Sequence, residues 1–410
     1  MNEGKIIKYY REQSGMTQEQ LGRGICSTTH ISKIELGQTH YSAEIISLVA
    51  ERLNINIKEE INTFETVKQE LDQWLYAMIM ERTQEIEAIK SKFETSKVIE
   101  ISEYHSYYQL LLARYYLLHE NNKKACDIIR TIEGCETSLP PYENSLYKHV
   151  RGILFLKNQE YQQAIEILKS IDNEMYNNPE YYYHLAIAYD ANDAKHMAYS
   201  CAQEALQFFK ETSNFLRIID VEMLLLILKS QDKHHDFKDR RRKYEALIQS
   251  CELCHTVARK ACVLHNLALE YFIMKDYETA GKLYKQSIDL KDKKSGKYLL
   301  SLEGYIQSCL RKKRSSLSEL LDLAHEGIGI AEDMNAPLYV YLLTLTTFLI
   351  KKEHVKYYTY LNDHALPFFK LSGHVYLVKR SAKELFNYYS KIGQFKKAVD
   401  LAKPVMNYQN

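Results

Sequence analysis

Cys251-Glu-Leu-Cys254-His255, followed by Cys262 and His265, is the stretch whose residue types and spacing come nearest to a reactive centre. Two thiols three residues apart beside an imidazole are the letters of covalent haem attachment, and thiols and imidazoles this close are zinc-ligand types. Both readings fail on context. Haem attachment of that kind follows export, and the polar start Met1-Asn2-Glu3-Gly4-Lys5 carries no signal segment. Structural zinc needs a second ligand pair presented by a turn, whereas these residues fall in helix-like sequence. His234-His235 reads as a polar inter-helix turn. There is no glycine-rich phosphate loop, nucleophile elbow or kinase signature, and the carboxylates are scattered. The expectation is a protein that is not an enzyme and holds no cofactor or metal.

A second constellation reads as recognition chemistry. Thr17-Gln18-Glu19-Gln20-Leu21 starts as a capping box, in which the Thr17 hydroxyl and the Gln20 side chain satisfy backbone donors reciprocally. Leu21 then faces inward, Gly22 and Gly24 supply the sharp turn, and Ser27 caps the next helix. Ile31 and Ile34 recur at helical spacing, which leaves Thr28, Thr29, His30 and Lys33 outward. This is the pattern of a helix-turn-helix. The second helix offers those four residues to base edges in the major groove of a double-stranded DNA operator, and Gln18 at the start of the first is placed to hold a phosphate.

Residues 1 to 58 balance Lys5, Lys8, Arg11, Arg23, Lys33, Arg52 and Lys58 against Glu3, Glu12, Glu19, Glu35, Glu44 and Glu51. Affinity for DNA rests heavily on phosphate neutralisation, so a nearly neutral reader needs a second copy on a paired half-site. A homodimer or higher oligomer is expected. The whole chain of 410 residues carries 54 basic and 53 acidic side chains, which gives no general attraction to polyanions or membrane surfaces. No apolar run approaches the roughly 20 residues of a membrane span, Leu224 to Leu228 being far too short. A cytoplasmic protein follows, with its eight cysteines as free thiols.

The elements that must position these residues are helices. Fourteen glycines and six prolines punctuate long periodic segments rich in leucine, tyrosine, lysine and glutamate, so the fold class is all-α. The C-terminal three-quarters repeat a tetratricopeptide pattern (TPR). Gly152, Phe155, Ala164 and Leu168 mark one copy, and Leu185, Ala186, Tyr189, Ala198, Ala202 and Ala205 mark the next. Leu112, Ala113, Tyr116 and Ala125 fit earlier; Leu267, Ala268, Tyr271 and Ala280, then Leu385, Phe386, Tyr389, Ala398 and Ala402, fit later. About 215 to 255 and 297 to 370 are degenerate, and the expected total is seven to nine helix pairs.

Such a stack forms a right-handed superhelix whose concave wall suits an extended peptide. Groove-facing positions place His184 and Asn266 there. The Asn266 amide can both donate to and accept from a peptide backbone, or else satisfy a neighbouring helix carbonyl. Arg380, Lys383 and Asn387 share one face that could receive a carboxylate or stay a solvated basic face. Tyr183, Tyr189, Asp190, Glu270 and Tyr305 are further groove positions, although tyrosines at this spacing also build cores. Residues 62 to 100 read as amphipathic linker helices in which the only tryptophan, Trp74, shares a stripe with Leu71, Leu75, Met78 and Ile79. That stripe could be a dimer contact, a joint, or packing against the first repeat. The expected domains are a DNA reader at 1–60, linker helices at 61–100 and a peptide-binding, dimerising repeat domain at 101–410.

Gly24-Ile-Cys-Ser-Thr-Thr-His-Ile-Ser-Lys-Ile-Glu35 in front of tetratricopeptide repeats resembles the RNPP family of peptide-pheromone receptors of Gram-positive bacteria, and is most similar to its NprR-type members. The resemblance covers nearly the whole chain in architecture. It implies a quorum-sensing transcription regulator, with an imported signalling peptide held in the repeat groove and changing oligomeric state or domain placement. Groove asparagines hold the peptide backbone in this family, and Asn266 matches by position. Some relatives instead bind a response regulator through their helical N-terminal part. An adaptor that sequesters a response regulator, or a phage or plasmid copy controlling lysogeny or transfer, is therefore the alternative.

Overall fold

The computed structural model describes residues 2–38, 42–95, 104–134, 139–230, 237–312 and 316–407, and among them every regular element is helical. None of these helices is long and apolar enough to cross a membrane. His234 and His235 lie outside the described residues. The chain divides into two units, Met1–Val150 and Arg151–Asn410.

In the first unit, α1 (Asn2–Gln13), α2 (Gln18–Gly22), α3 (Thr28–Glu35) and α4 (Ala43–Arg52) close on a core of Ile7, Leu21, Ile31, Ile34, Ile46, Val49 and Leu53. Leu21, Ile31 and Ile34 are the positions the sequence put inward, and Ile7, Ile46, Val49 and Leu53 join them. α1 crosses α3 so closely that a Cβ on Gly4 would stand 1.9 Å from the Ile34 carbonyl oxygen. Gly24 has φ +76°, as a turn glycine should. Gly22 differs from expectation: it ends α2 in helical conformation, and a Cβ there would press to 3.1 Å from Ile31 Cγ1. It is small for packing reasons.

α5 (Ile57–Ile79) and α6 (Thr83–Thr95) form a hairpin, followed by α7 (His105–Leu118) and α8 (Asn122–Ile132). Trp74 is fully buried with Leu71 and Met78, and its indole lies against Phe93, Tyr108 and Tyr115 at 5.9–6.0 Å between ring centroids. Tyr107 Oη also donates to Asp72 at 2.8 Å. Of the three roles open to the tryptophan stripe, packing against the first repeat is the one its contacts display.

From α7 onward the helices pair: α9 (Pro141–Lys157) with α10 (Tyr161–Lys169), α11 (Tyr181–Ala191) with α12 (Lys195–Glu211), α13 (Phe215–Ser230) with α14 (Phe237–Leu253), and α15 (Val257–Ile273) with α16 (Tyr277–Asp289). Then come α17 (Gly296–Lys312) with α18 (Leu317–Asp333), α19 (Pro337–Ile350) with α20 (His354–Tyr360) and α21 (Leu366–Leu371), and α22 (Val375–Lys391) with α23 (Phe395–Asn407). That makes eight pairs among the described residues, including the degenerate stretches. Small residues let paired helices approach: Ala164, Ala186, Ala198, Ala202, Ala268 and Ala280 are wholly buried. Between α20 and α21 the backbone makes a π-turn over Leu361–Ala365. Pro367 explains it, since a proline can neither donate to nor tolerate the carbonyl one turn earlier.

Most helix pairs turn on one left-handed residue: Glu120, Gln159, Asp193, Lys275 and Lys352 have φ of 58–66°. His255 has φ 51°, so Cys254 and His255 occupy the turn after α14 and are not helical as the sequence suggested. In the second unit the first helices α11, α13, α15, α17 and α19 pack on one another in succession, while the second helices splay. Cavities of about 320 Å³ between α12 and α14 and about 700 Å³ between α14 and α16 fill the splay. Curvature of that sense puts the first helices on the inner wall.

Candidate DNA-reading helix and concave groove

The reading helix is assembled as its sequence dictates. Thr17 Oγ1 accepts from Gln20 N at 3.1 Å while Thr17 N donates to Gln20 Oε1 at 2.8 Å, completing the capping box. Ser27 Oγ accepts from His30 N at 3.3 Å and starts α3. Ile31 and Ile34 are buried; Thr28, Thr29, His30 and Lys33 are exposed on the opposite side. A short helix with four polar side chains turned outward can enter a major groove.

Gln18, expected at a phosphate, donates from Nε2 to Glu35 Oε2 at 2.8 Å. The same carboxylate takes Arg11 Nε at 2.6 Å and Nη2 at 3.1 Å, and Arg11 Nη1 reaches the Met16 carbonyl at 2.9 Å. Chiefly through its hydrogen bond to Glu35, Arg11 is held firmly in its charged form. Arg52 Nη1 donates to the Leu21 carbonyl at 2.9 Å, closing the end of α2. Sequence reading missed Arg11 and Arg52. The available signal was Glu35, a charge one step from Ile34 on the buried stripe, which requires a partner.

On the inner wall of the second unit, Asn266 is half-buried; its Nδ2 donates to the Cys262 carbonyl at 3.0 Å and contacts Met223 Sδ at 3.4 Å. One half of that amide is thus used within its own helix. Its Oδ1 has no protein donor among the described residues. Glu270 is buried and engaged by Arg240 at 2.9 Å. His184 and Tyr189 are buried in α11, Tyr183 stacks under the Arg217 guanidinium at 5.2 Å, and Asp190 pairs with Lys195 at 2.5 Å. Tyr305 is half-buried beside Tyr284 and Ala280.

Arg380, Lys383 and Asn387 are all exposed at i, i+3 and i+7 along α22. Arg380 reaches solvent yet is ringed by protein, with Glu303, Tyr376, Tyr357 and Glu384 near enough to hold it charged against that partial burial. It donates no hydrogen bond to a protein acceptor among the described residues. Glu303, which the sequence did not single out, accepts from Gln307 Nε2 at 2.6 Å and lies 3.4 Å from Thr346 Oγ1; burial raises its carboxyl above the usual range. Arg311 continues the row, donating to Gln307 Oε1 at 3.2 Å and lying 5.0 Å over Phe272. These partners come from four different repeats, so no local spacing announced them.

Of the reactive-looking cluster, Cys251 is buried, Cys254, Cys262 and His265 are half-buried and His255 is exposed. Burial pushes the Cys251 thiol up to about 11 and the His265 imidazole down to about 3. His265 Nδ1 lies 2.9 Å from Ser301 Oγ, which also accepts from Lys291 Nζ at 2.6 Å.

One chain thus carries an outward-facing helix-turn-helix and a stack of helix pairs. A helix-turn-helix family model matches residues 7–59. The transcriptional activator NprA of Geobacillus stearothermophilus is 23% identical over 405 residues, spanning 94% of this chain and 97% of that protein. The crystal structure of NprR in complex with its cognate peptide NprX superposes with a TM-score of 0.71 at 21% identity, over 84% of this chain and 100% of that one. A Rap protein complexed with competence and sporulation factor does so at 0.72 and 14%, over 84% and 98%. These likenesses bear out the all-α architecture and the resemblance to the RNPP family and its NprR-like members.

Proposed function

We propose that this chain is a cytoplasmic transcription regulator, without enzymatic activity, that reads a double-stranded DNA operator as a homodimer or higher oligomer. A short signalling peptide held on the inner wall of its repeats changes its oligomeric state or the geometry of its DNA-binding domains. Thr28, Thr29, His30 and Lys33 take base edges, and the second amide hydrogen of Gln18, whose first is on Glu35, takes a phosphate. Asn266 Oδ1 accepts from the peptide backbone, and Arg380 with Lys383 and Asn387 receives a peptide carboxylate. His184, Tyr189, Glu270 and Tyr305 shape the wall behind them.

The observation that carries the reading is Arg380, exposed on α22 beside Lys383 and Asn387, whose donors meet no protein acceptor among the described residues. An uncommitted fork of that kind matches a carboxylate bidentately. Calorimetric titration with short peptides encoded by the reading frame next to its gene tests it. Saturable binding that weakens in Asn266→Ala and Arg380→Ala is expected; equal binding by the variants overturns the assignment of the groove.

The likeness to Rap proteins supports a second reading, an adaptor that sequesters a response regulator. Thr29→Ala with Lys33→Ala separates the two, since it abolishes activity in a DNA reader and spares an adaptor.

A further inference from the structure

Asp193 and Lys379 are 186 residues apart in sequence, yet the Lys379 ammonium donates to the Asp193 carboxylate. Asp193 sits in the turn between α11 and α12, and Lys379 lies near the start of α22, five helix pairs further on. The ion pair therefore joins two turns of the second unit's superhelix that lie five pairs apart, beside the wall that carries Asn266 and Arg380.

The two sides of the closing pair are unequal. Asp193 has a second cation, Lys195, at 3.7 Å, and Lys195 is itself held by Asp190 at 2.5 Å. When the closure opens, Asp193 keeps a counter-charge. Lys379 has no other carboxylate within ion-pair distance among the described residues, and it adjoins Arg380 and Lys383. Both side chains keep about a quarter of their surface in water, 27% and 22%. The pair is part-buried, and the quarter of each side chain left in water keeps it open to partial screening by salt, which suits a contact that must open and close.

We propose that Asp193–Lys379 is a latch that holds the inner wall closed to large molecules, and that its opening admits the ligand. This rests on reading that wall as the ligand groove. It also gives the ligand's anionic end a function beyond anchoring, because a carboxylate arriving at Arg380 and Lys383 competes with Asp193 for Lys379.

Two measurements on the full chain test the latch without any peptide. Carbodiimide coupling joins a lysine to a carboxylate already in contact, so an Asp193–Lys379 amide should be found by peptide mapping at low salt and disappear at high salt. The second follows the reaction of an Asn266→Cys thiol with a bulky maleimide, read site by site by mass spectrometry so that native cysteines do not interfere. Lys379→Gln should speed that reaction roughly five-fold, the equivalent of about 1 kcal/mol. Asp193→Asn should do the same, and asparagine tolerates the left-handed φ of 61° found there. Exchanging the charges, Lys379→Asp with Asp193→Lys, should restore the slow rate. Absence of the amide at low salt, or an unchanged rate in both single variants, overturns the latch and leaves the peptide-receptor reading standing. Failure of every peptide to bind, with the amide and the rates as expected, overturns the receptor and leaves the latch.

Discussion

Glu35 is the residue on which the DNA-reading domain depends most. Its carboxylate takes Arg11 and Gln18 together with almost no exposure to water. Removing one member of a buried pair leaves the other charge uncompensated, so Glu35→Ala should destabilise the domain by about 3 kcal/mol or more in denaturant melts. Lys33→Ala should leave the melt unchanged and relax the preference at the base pair it reads, at a cost of about 1–3 kcal/mol in binding. A pH effect belongs to His265. Its imidazole is held neutral down to about pH 3 in the fold and protonates near 6.5 when unfolded. Below pH 6.5 the unfolded state takes up a proton that the folded state refuses, so stability falls as pH drops towards 3, by at most about 1.4 kcal/mol per pH unit. His265→Asn should flatten that decline in melts between pH 7 and 5.

Among the elements, those with strong local patterns were legible in the sequence. The capping box, the Ser27 cap and the Ile31–Ile34 stripe are built from neighbours, and the repeats with small residues at fixed places could be aligned by eye. The degenerate stretches hid two features. α13 and α19 are apolar nearly all round, which erases the helical stripe, and Pro367 forces a π-turn that breaks the repeat period. The Arg11–Glu35, Glu303–Thr346 and Asp193–Lys379 contacts were illegible for a different reason: each joins segments whose nearness exists only once the helices have packed. The crossing of α1 on α3 gives a sharp element-level test. Gly4→Ala puts a methyl into the Ile34 carbonyl, which as backbone cannot turn aside. The variant should lose cooperative melting of the reading domain, and Trp74, whose ring is packed by α6 and α7, should report that loss only through any coupling between the two regions.

At the scale of the whole molecule, near-neutrality shapes how the reader must work. With charges in balance, one reading domain gains little from phosphate neutralisation, and in the proposed dimer the affinity comes from two bound together. Halving the operator should therefore weaken binding far more than ten-fold in mobility-shift titrations at physiological salt, whereas independent domains would lose only a factor of two.

The repeated turns carry a last consequence. Ten non-glycine residues hold a left-handed backbone among the described residues, Glu120, Gln159, Lys275 and Lys352 with them, and each is under a strain that glycine would not feel. Those four sites are spare capacity for heat tolerance. Replacing them together with glycine should raise the melting temperature by several degrees without touching the reading helix or the inner wall. A chain that leaves such an easy gain untaken has the stiffness of its joints free to be tuned by single substitutions, one turn at a time.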